Sequence, residues 1–215
     1  MPVKIIGTSH IAKESIQKVR ALILEQKPEI VAVELDEARA KALFMRKQPK
    51  PSLSSIGQIG LGGFLFQIIG MRLQKSLGKQ VKTKPGADMK AAIEAAKEIK
   101  ADLIFIDQPI QITLKNISKI SIFEKLKFFF YLLASPFSKE KIEFDLSKVP
   151  REDLVYQMIG QLKNEFPGLY KALVADRDEY ISHGIKHLAG HFPDKNILVV
   201  LGAGHLKGVK KLLKT

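Results

Sequence analysis

The segment EIVAVEL, residues 29–35, holds four apolar residues in a row, without the polar alternation of a strand that has one face in water. Such a strand is buried on both faces, which places it in a parallel sheet covered by helices. Three other runs of β-branched and aliphatic residues accompany it: VKIIG at 3–7, LIFID at 103–107 and ILVVLG at 197–202. Helical patterns lie between them. In ESIQKVRALILEQ, Ile16, Val19, Leu22 and Ile23 recur at helical spacing, and Lys27-Pro28 ends the pattern. DEARAKALFMRK, KTKPGADMKAAIEAAKEI (opened by Pro85-Gly86), DRDEYISHGIKHLAGHF and LKGVKKLLK read as further helices. Strands alternating with helices specify an α/β fold, a central parallel or mixed sheet flanked by helices. One domain over residues 1–215 is expected, with helical insertions or a lid at 49–84 and 117–172.

Two of those runs end alike. VKIIGTSH closes at His10 and ILVVLGAGH closes at His205, each on Gly-x-x-His. Ligands of open α/β sheets sit outside the carboxyl ends of the strands, and every predicted strand here ends in a residue capable of chemistry: His10, Glu34, Asp107 and His205. On a parallel sheet the four share one edge. Two imidazoles with two carboxylates suit a divalent metal or acid–base work. Gly7, Gly202 and Gly204 let the backbone turn out of its strand close to a ligand, and the N–H groups of the helices that follow could hold an oxyanion. The structural alternatives are a loop histidine, a helix-start Glu34 favoured by the dipole, and a capping Asp107.

Two other features compete for attention. His183, His187 and His191 are spaced four apart, but on a helical wheel they oppose Ile181, Ile185, Leu188 and Phe192, so they are expected to face solvent. Arg177 stands between Asp176 and Asp178. It is either one member of a surface ion pair or a fork of donors for a substrate carboxylate or a developing charge.

Composition narrows the classes. The chain has no cysteine, which excludes disulfides, Cys-ligated zinc and a thiol nucleophile. Its first residues show no signal peptide, and a cytoplasmic location is expected. The net charge is +13, yet no RNA-recognition, zinc-finger or helix-turn-helix pattern accompanies it. The charge is therefore assigned to a lysine-rich solvated surface, and no nucleic-acid partner is expected. The apolar runs at 56–71 and 128–137 fall short of the roughly 18 consecutive apolar residues of a membrane span. The first is also broken by Gly57, Gly60, Gly62, Gly63 and Gly70. Packing in a core or lid is expected, with contact at a membrane surface left open by the neighbouring lysines. A homo-oligomer is compatible with all of this.

GTSHIAKES at 7–15, IVAVELDEAR at 30–39, PGADMKAAIEAAKE at 85–98, LIFIDQPIQITLKN at 103–116, ADRDEY at 175–180 and GAGHLKGV at 202–209 together resemble the TraB family of pheromone-shutdown type. That family belongs to a superfamily with the Tiki proteases, the erythromycin esterases and the ChaN haem-binding lipoproteins. The resemblance implies an α/β fold in which both Gly-x-x-His segments meet in one cleft. His10, His205 and Glu34 would be metal ligands, with Arg177 or Arg39 nearby. Gln108 stands where the family usually has arginine. Asp176-Arg177-Asp178 replaces a Glu-Arg-Asp pattern, and this sequence ends just after LKGVKKLLK, where many members continue into membrane-spanning helices.

The function expected from this resemblance is metal-dependent hydrolysis of a peptide bond. His10, His205 and Glu34 would bind one divalent ion (manganese, cobalt or zinc), and Asp107 would be a partner to the ligands or a general base. Arg177 would steady the oxyanion. The alternatives are a membrane-associated protein that binds or sequesters a peptide, a metal-free histidine esterase, and a haem or iron binder.

Overall fold

The four apolar runs become four strands, β1 (Val3–Thr8), β2 (Ile30–Val33), β3 (Asp102–Phe105) and β4 (Ile197–Gly202). The computed structural model describes residues 3–8, 13–45, 52–80, 86–134 and 152–214. In it the strands form one sheet in the order β1-β4-β2-β3, with every adjacent pair parallel. Of the parallel and mixed sheets allowed by the sequence, the parallel one is found. The two look-alike strands are direct neighbours, with Val3 opposite Ile197 and Thr8 opposite Gly202. The last residues of β1 and β4 therefore leave the sheet side by side.

Helices cover both faces, as the unbroken apolar strands require. Val31, Val33, Leu198 and Val200 point to one side, where α1 (Lys13–Gln26) and α4 (Ala87–Glu98) supply Val19, Ile23, Met89 and Ile93. Ile30, Ala32, Ile197, Val199 and Leu201 point to the other. There Ile181, Ile185 and Leu188 of α9 (Asp176–His191) and Val209 of α10 (Ala203–Leu213) complete the core. A short helix α2 (Glu37–Phe44) follows β2, its first turn capped by the Asp36 carboxylate.

The remaining helices are α3 (Ile56–Gln80), α5 (Ile110–Lys119), α6 (Ile122–Ala134), α7 (Glu152–Glu165) and α8 (Pro167–Tyr170). They build a third apolar cluster around Ile59, Phe64, Leu114, Ile117, Phe166 and Leu169. A widened π turn, Lys171–Ala175, then leads into α9. The glycines of α3 let it lie close against α5: a Cβ at Gly63 would stand 2.4 Å from the Leu114 carbonyl oxygen. At Gly60 the backbone takes φ 72° and α3 kinks.

By length and composition alone the 19 residues Leu53–Met71 meet the measure of a membrane span, but the backbone leaves helical geometry at Gly60 (φ 72°, ψ 161°), one of the glycine breaks read from the sequence.

Candidate functional site

The ends of β2, β3 and β4 deliver their polar residues to the same edge of the sheet. Glu34 follows β2 and Asp107 follows β3, and both are buried. Their backbones stay in register with neighbouring chain, the Glu34 N–H on the Val200 carbonyl and the Asp107 N–H on that of Leu35. His205 lies in the first turn of α10, directly after β4. His10, the fourth member, lies outside the described residues, although β1 ends two positions before it.

Arg177 ties the carboxylates together. Its Nη2 donates to Glu34 Oε1 at 2.5 Å and to Asp107 Oδ2 at 2.5 Å, and its Nε donates to Asp107 Oδ1 at 3.1 Å. The flanking aspartates are not its partners. Asp176 accepts from Asn116 and pairs with Lys171, while Asp178 turns to His205. Of the two sequence alternatives for Arg177, the surface ion pair is excluded by its position: the side chain is 15% exposed and spans two buried acids. The widened turn before α9 supplies a further acceptor, the Leu173 carbonyl, for Arg177 Nη1.

Arg39 of α2 joins from the other side. Its Nη2 reaches Asp107 Oδ2 at 2.5 Å and its Nε reaches Asp36 Oδ2 at 2.8 Å. Gln108, where arginine was expected by resemblance, instead donates to Thr113 Oγ1, so the second guanidinium on Asp107 comes from Arg39. Burial alone would raise the Asp107 pKa. The hydrogen bond and charge of Arg177, with the charge of Arg39, outweigh it and hold the carboxyl below its ordinary value. Burial disfavours the charged form of Arg177 too, but Glu34 and Asp107 raise its pKa beyond the usual arginine range.

The other half of the site centres on His205. Its Nδ1 lies 2.6 Å from Asp178 Oδ1, and both side chains are almost entirely buried. A carboxylate accepts, so Nδ1 donates to Asp178 and Nε2 is the ring nitrogen left to face Glu34 Oε1, at 3.5 Å. Glu34 Oε2 meanwhile accepts the Gly202 N–H at 2.6 Å, at the start of α10. For Asp178, burial pushes the carboxyl above its ordinary range, more than the His205 bond and charge pull it down.

Asp178 was read from sequence only as a neighbour of Arg177. The signal lay in GAGHLKGV: His205 and Gly208 are three apart on one helix face. A Cβ at Gly208 would stand 1.9 Å from Asp178 Oδ2, so the glycine makes room for the carboxylate. Asp88 was missed as well. Fully buried in the first turn of α4, it accepts the Thr8 hydroxyl at 2.5 Å and ties down the end of β1.

The described residues fit a metal ion in part. His205 Nε2 and Glu34 Oε1 face each other, and a tetrahedral ion with bonds of about 2.0–2.1 Å sets its ligand atoms roughly 3.3 Å apart. Their 3.5 Å separation is close to that span. A histidine whose second nitrogen is held by a carboxylate is also the usual form of a metal-binding imidazole. Among the described residues no group of three His, Asp or Glu side chains could hold an ion, so the third donor expected from sequence is His10. The histidines of α9 do not contribute. His183, His187 and His191 are exposed, and the last two stack on each other with centroids 5.9 Å apart.

Residues 2–215 match the family model described as the TraB/PrgY/gumN family. The sequence is 34% identical over 221 residues to an uncharacterized protein of Methanocaldococcus jannaschii, a match covering 98% of this chain and 53% of that protein. It is 28% identical over 236 residues to the TraB domain-containing proteins of Bos taurus and Homo sapiens, covering 97% of this chain and 62% of each relative. The chain thus spans between about half and three fifths of the length of these relatives.

Proposed function

Because the chain belongs to the TraB/PrgY/gumN family, we propose that it is a hydrolase acting on an amide or ester bond of a peptide at the strand-end site. The observation that carries this is His205, its Nδ1 locked on buried Asp178 and its Nε2 aimed at Glu34 Oε1 at 3.5 Å. His205, Glu34 and His10 would hold a divalent ion, which when bound lowers the pKa of a water and polarises the substrate carbonyl.

The protein's own groups divide the remaining work. Asp178 holds Nδ1 and orients His205, so that Nε2 is the nitrogen turned toward Glu34. Arg177 holds Glu34 against the start of α10 and neutralises Asp107. Asp107 accepts from Arg177, from Arg39 and from the Gln108 N–H, which suits a positioning role better than that of a general base. Arg39 is 29% exposed, and no acceptor among the described residues engages its Nη1. It is the arginine better placed to meet a substrate carboxylate or a developing oxyanion. Cytoplasmic placement, with the apolar helices at a membrane surface, is consistent with this assignment.

The test is a peptide and ester panel with untagged full-length protein, assayed beside His205→Gln and His10→Gln, with metal content measured by elemental mass spectrometry. Turnover is expected to fall at least about 100-fold in both variants and bound manganese, cobalt or zinc to be lost, in protein that circular dichroism shows to be folded, with His205→Gln melting lower because its bond to Asp178 is gone. Undiminished turnover in His205→Gln refutes the assignment. Activity lost only with the histidines, in protein that never binds metal, would instead mean a metal-free histidine mechanism. A peptide-sequestering protein without turnover is the second candidate, favoured by how fully Glu34 and Asp107 are committed to protein donors. It predicts saturable peptide binding that survives His205→Gln.

A further inference from the structure

The helices α3 and α6 are apolar on two sides. Inward, Phe66 stacks on Phe128 and Phe128 packs edge-on against Phe166. Outward, α3 presents Leu61, Leu65 and Ile69 at i, i+4 and i+8, with exposures from 38 to 60%. The α6 stripe of Phe123, Leu126 and Phe130 is 46 to 80% exposed. Helices that are apolar all round belong in a core or in lipid, and exposed stripes on two helices sharing one apolar cluster amount to more than scattered surface residues.

Acids are scarce around these stripes, and the exposed Glu165 beside α6 is paired with Lys127 at 2.6 Å. The sequences of α3 and α5 contain no aspartate or glutamate, and α6 contains only Glu124. Glu124 is turned inward, where its Oε1 accepts the Leu169 N–H at 2.9 Å. Lys115 and Lys119 of α5 are exposed, and no carboxylate pairs with either among the described residues. Lys119 lies just before the start of α6 and its exposed Phe123.

We propose that the outer face of α3, α5 and α6 docks flat on an anionic lipid surface, its aliphatic and aromatic side chains entering the interface while Lys115 and Lys119 meet the headgroups. Spanning is opposed by the packing. Gly63 lies against the Leu114 carbonyl, and α5 is anchored by buried Thr113, Leu114 and Ile117, so α3 cannot leave the protein without breaking that contact. A symmetric contact between two copies through this face would bring Lys115 and Lys119 against lysines of like sign, with the neighbouring Glu165 already paired to Lys127. Anionic lipid supplies the missing charge. The inference is independent of hydrolysis at the strand ends.

The experiment is cosedimentation of the full-length chain with phosphatidylcholine vesicles, with or without phosphatidylglycerol. Wild type is compared with Phe123→Ser/Phe130→Ser and with Lys115→Gln/Lys119→Gln, and circular dichroism melting serves as a check on folding. Binding to the anionic vesicles is expected, weakened about tenfold or more by each double variant and reduced by high salt in the wild type. Absence of binding, equal binding to both vesicle types, or binding that neither variant changes would each overturn the proposal. So would a dimer seen by light scattering without vesicles and dissolved by the phenylalanine variant, which would make a second copy the occupant.

Discussion

Replacing Gly208 with alanine separates the architecture of the site from ordinary helix energetics. In the interior of a helix such as α10, glycine to alanine should stabilise by about 0.5–1 kcal/mol. Here the new Cβ would lie 1.9 Å from Asp178 Oδ2 and 2.8 Å from its Cγ. A relaxed contact of about 3.5 Å requires the carboxylate to retreat by roughly 1.6 Å. That displacement is enough to break the 2.6 Å bond to His205 Nδ1. Losing a charge-assisted bond between buried groups costs about 1.5–3 kcal/mol, so a net destabilisation of about 1–2 kcal/mol remains once the propensity gain is subtracted. Gly190 in α9 is the control, because nothing lies within 4 Å of a Cβ there. Urea unfolding of the wild type, Gly208→Ala and Gly190→Ala should therefore give changes of opposite sign for the same chemical substitution. Hydrolysis, where measured, should fall about 100-fold in Gly208→Ala alone, since His205 loses its fixed orientation. If Gly208→Ala stabilises the protein as much as Gly190→Ala does, Asp178 is not held against this glycine and the described geometry of His205 is wrong.

Arg177→Met should destabilise by about 3–5 kcal/mol at neutral pH, because it leaves Glu34 without its guanidinium and Asp107 with Arg39 alone, both deep in the protein. The sign of the pH dependence follows from Asp107. Its folded pKa is depressed, so its contribution is present above its ordinary value of 3.8 and is lost as pH falls through the folded value. Urea titrations should then show the cost of Arg177→Met shrinking toward acid pH; a cost that stays constant with pH would remove Asp107 as its cause. Gly63→Ala should cost about 1–3 kcal/mol by forcing α3 off the Leu114 carbonyl, and an unchanged melting temperature would show that the two helices are not in that contact.

Much of the site could be read along the chain because its members sit where strands stop. Glu34, Asp107 and His205 each follow an apolar run, and a parallel sheet gathers such ends on one edge whatever the strand order. The α9 histidines could be set aside for a similar reason, since helical periodicity fixes which residues share a face. Arg177 was harder. Its sequence neighbours Asp176 and Asp178 look like its partners, and only the packing of α9 across the strand ends shows that all three point elsewhere. Gln108 stands where the resemblance expects arginine and bonds Thr113 instead, while Arg39, which the resemblance named beside Arg177, supplies the second guanidinium on Asp107.

The sequence by itself determined the fold class, the edge on which the polar strand-end residues collect and the solvent face of α9. Those depend on periods of two and 3.6 residues and on continuous burial, which are local properties of the chain. Only the tertiary structure decided that β1 lies beside β4, that Asp178 rather than a solvent molecule holds His205, and that Glu34 and Asp107 share one guanidinium. Partner choice among buried charges depends on which groups are desolvated together, and residues 34, 107 and 177 meet only after the helices have closed over the sheet.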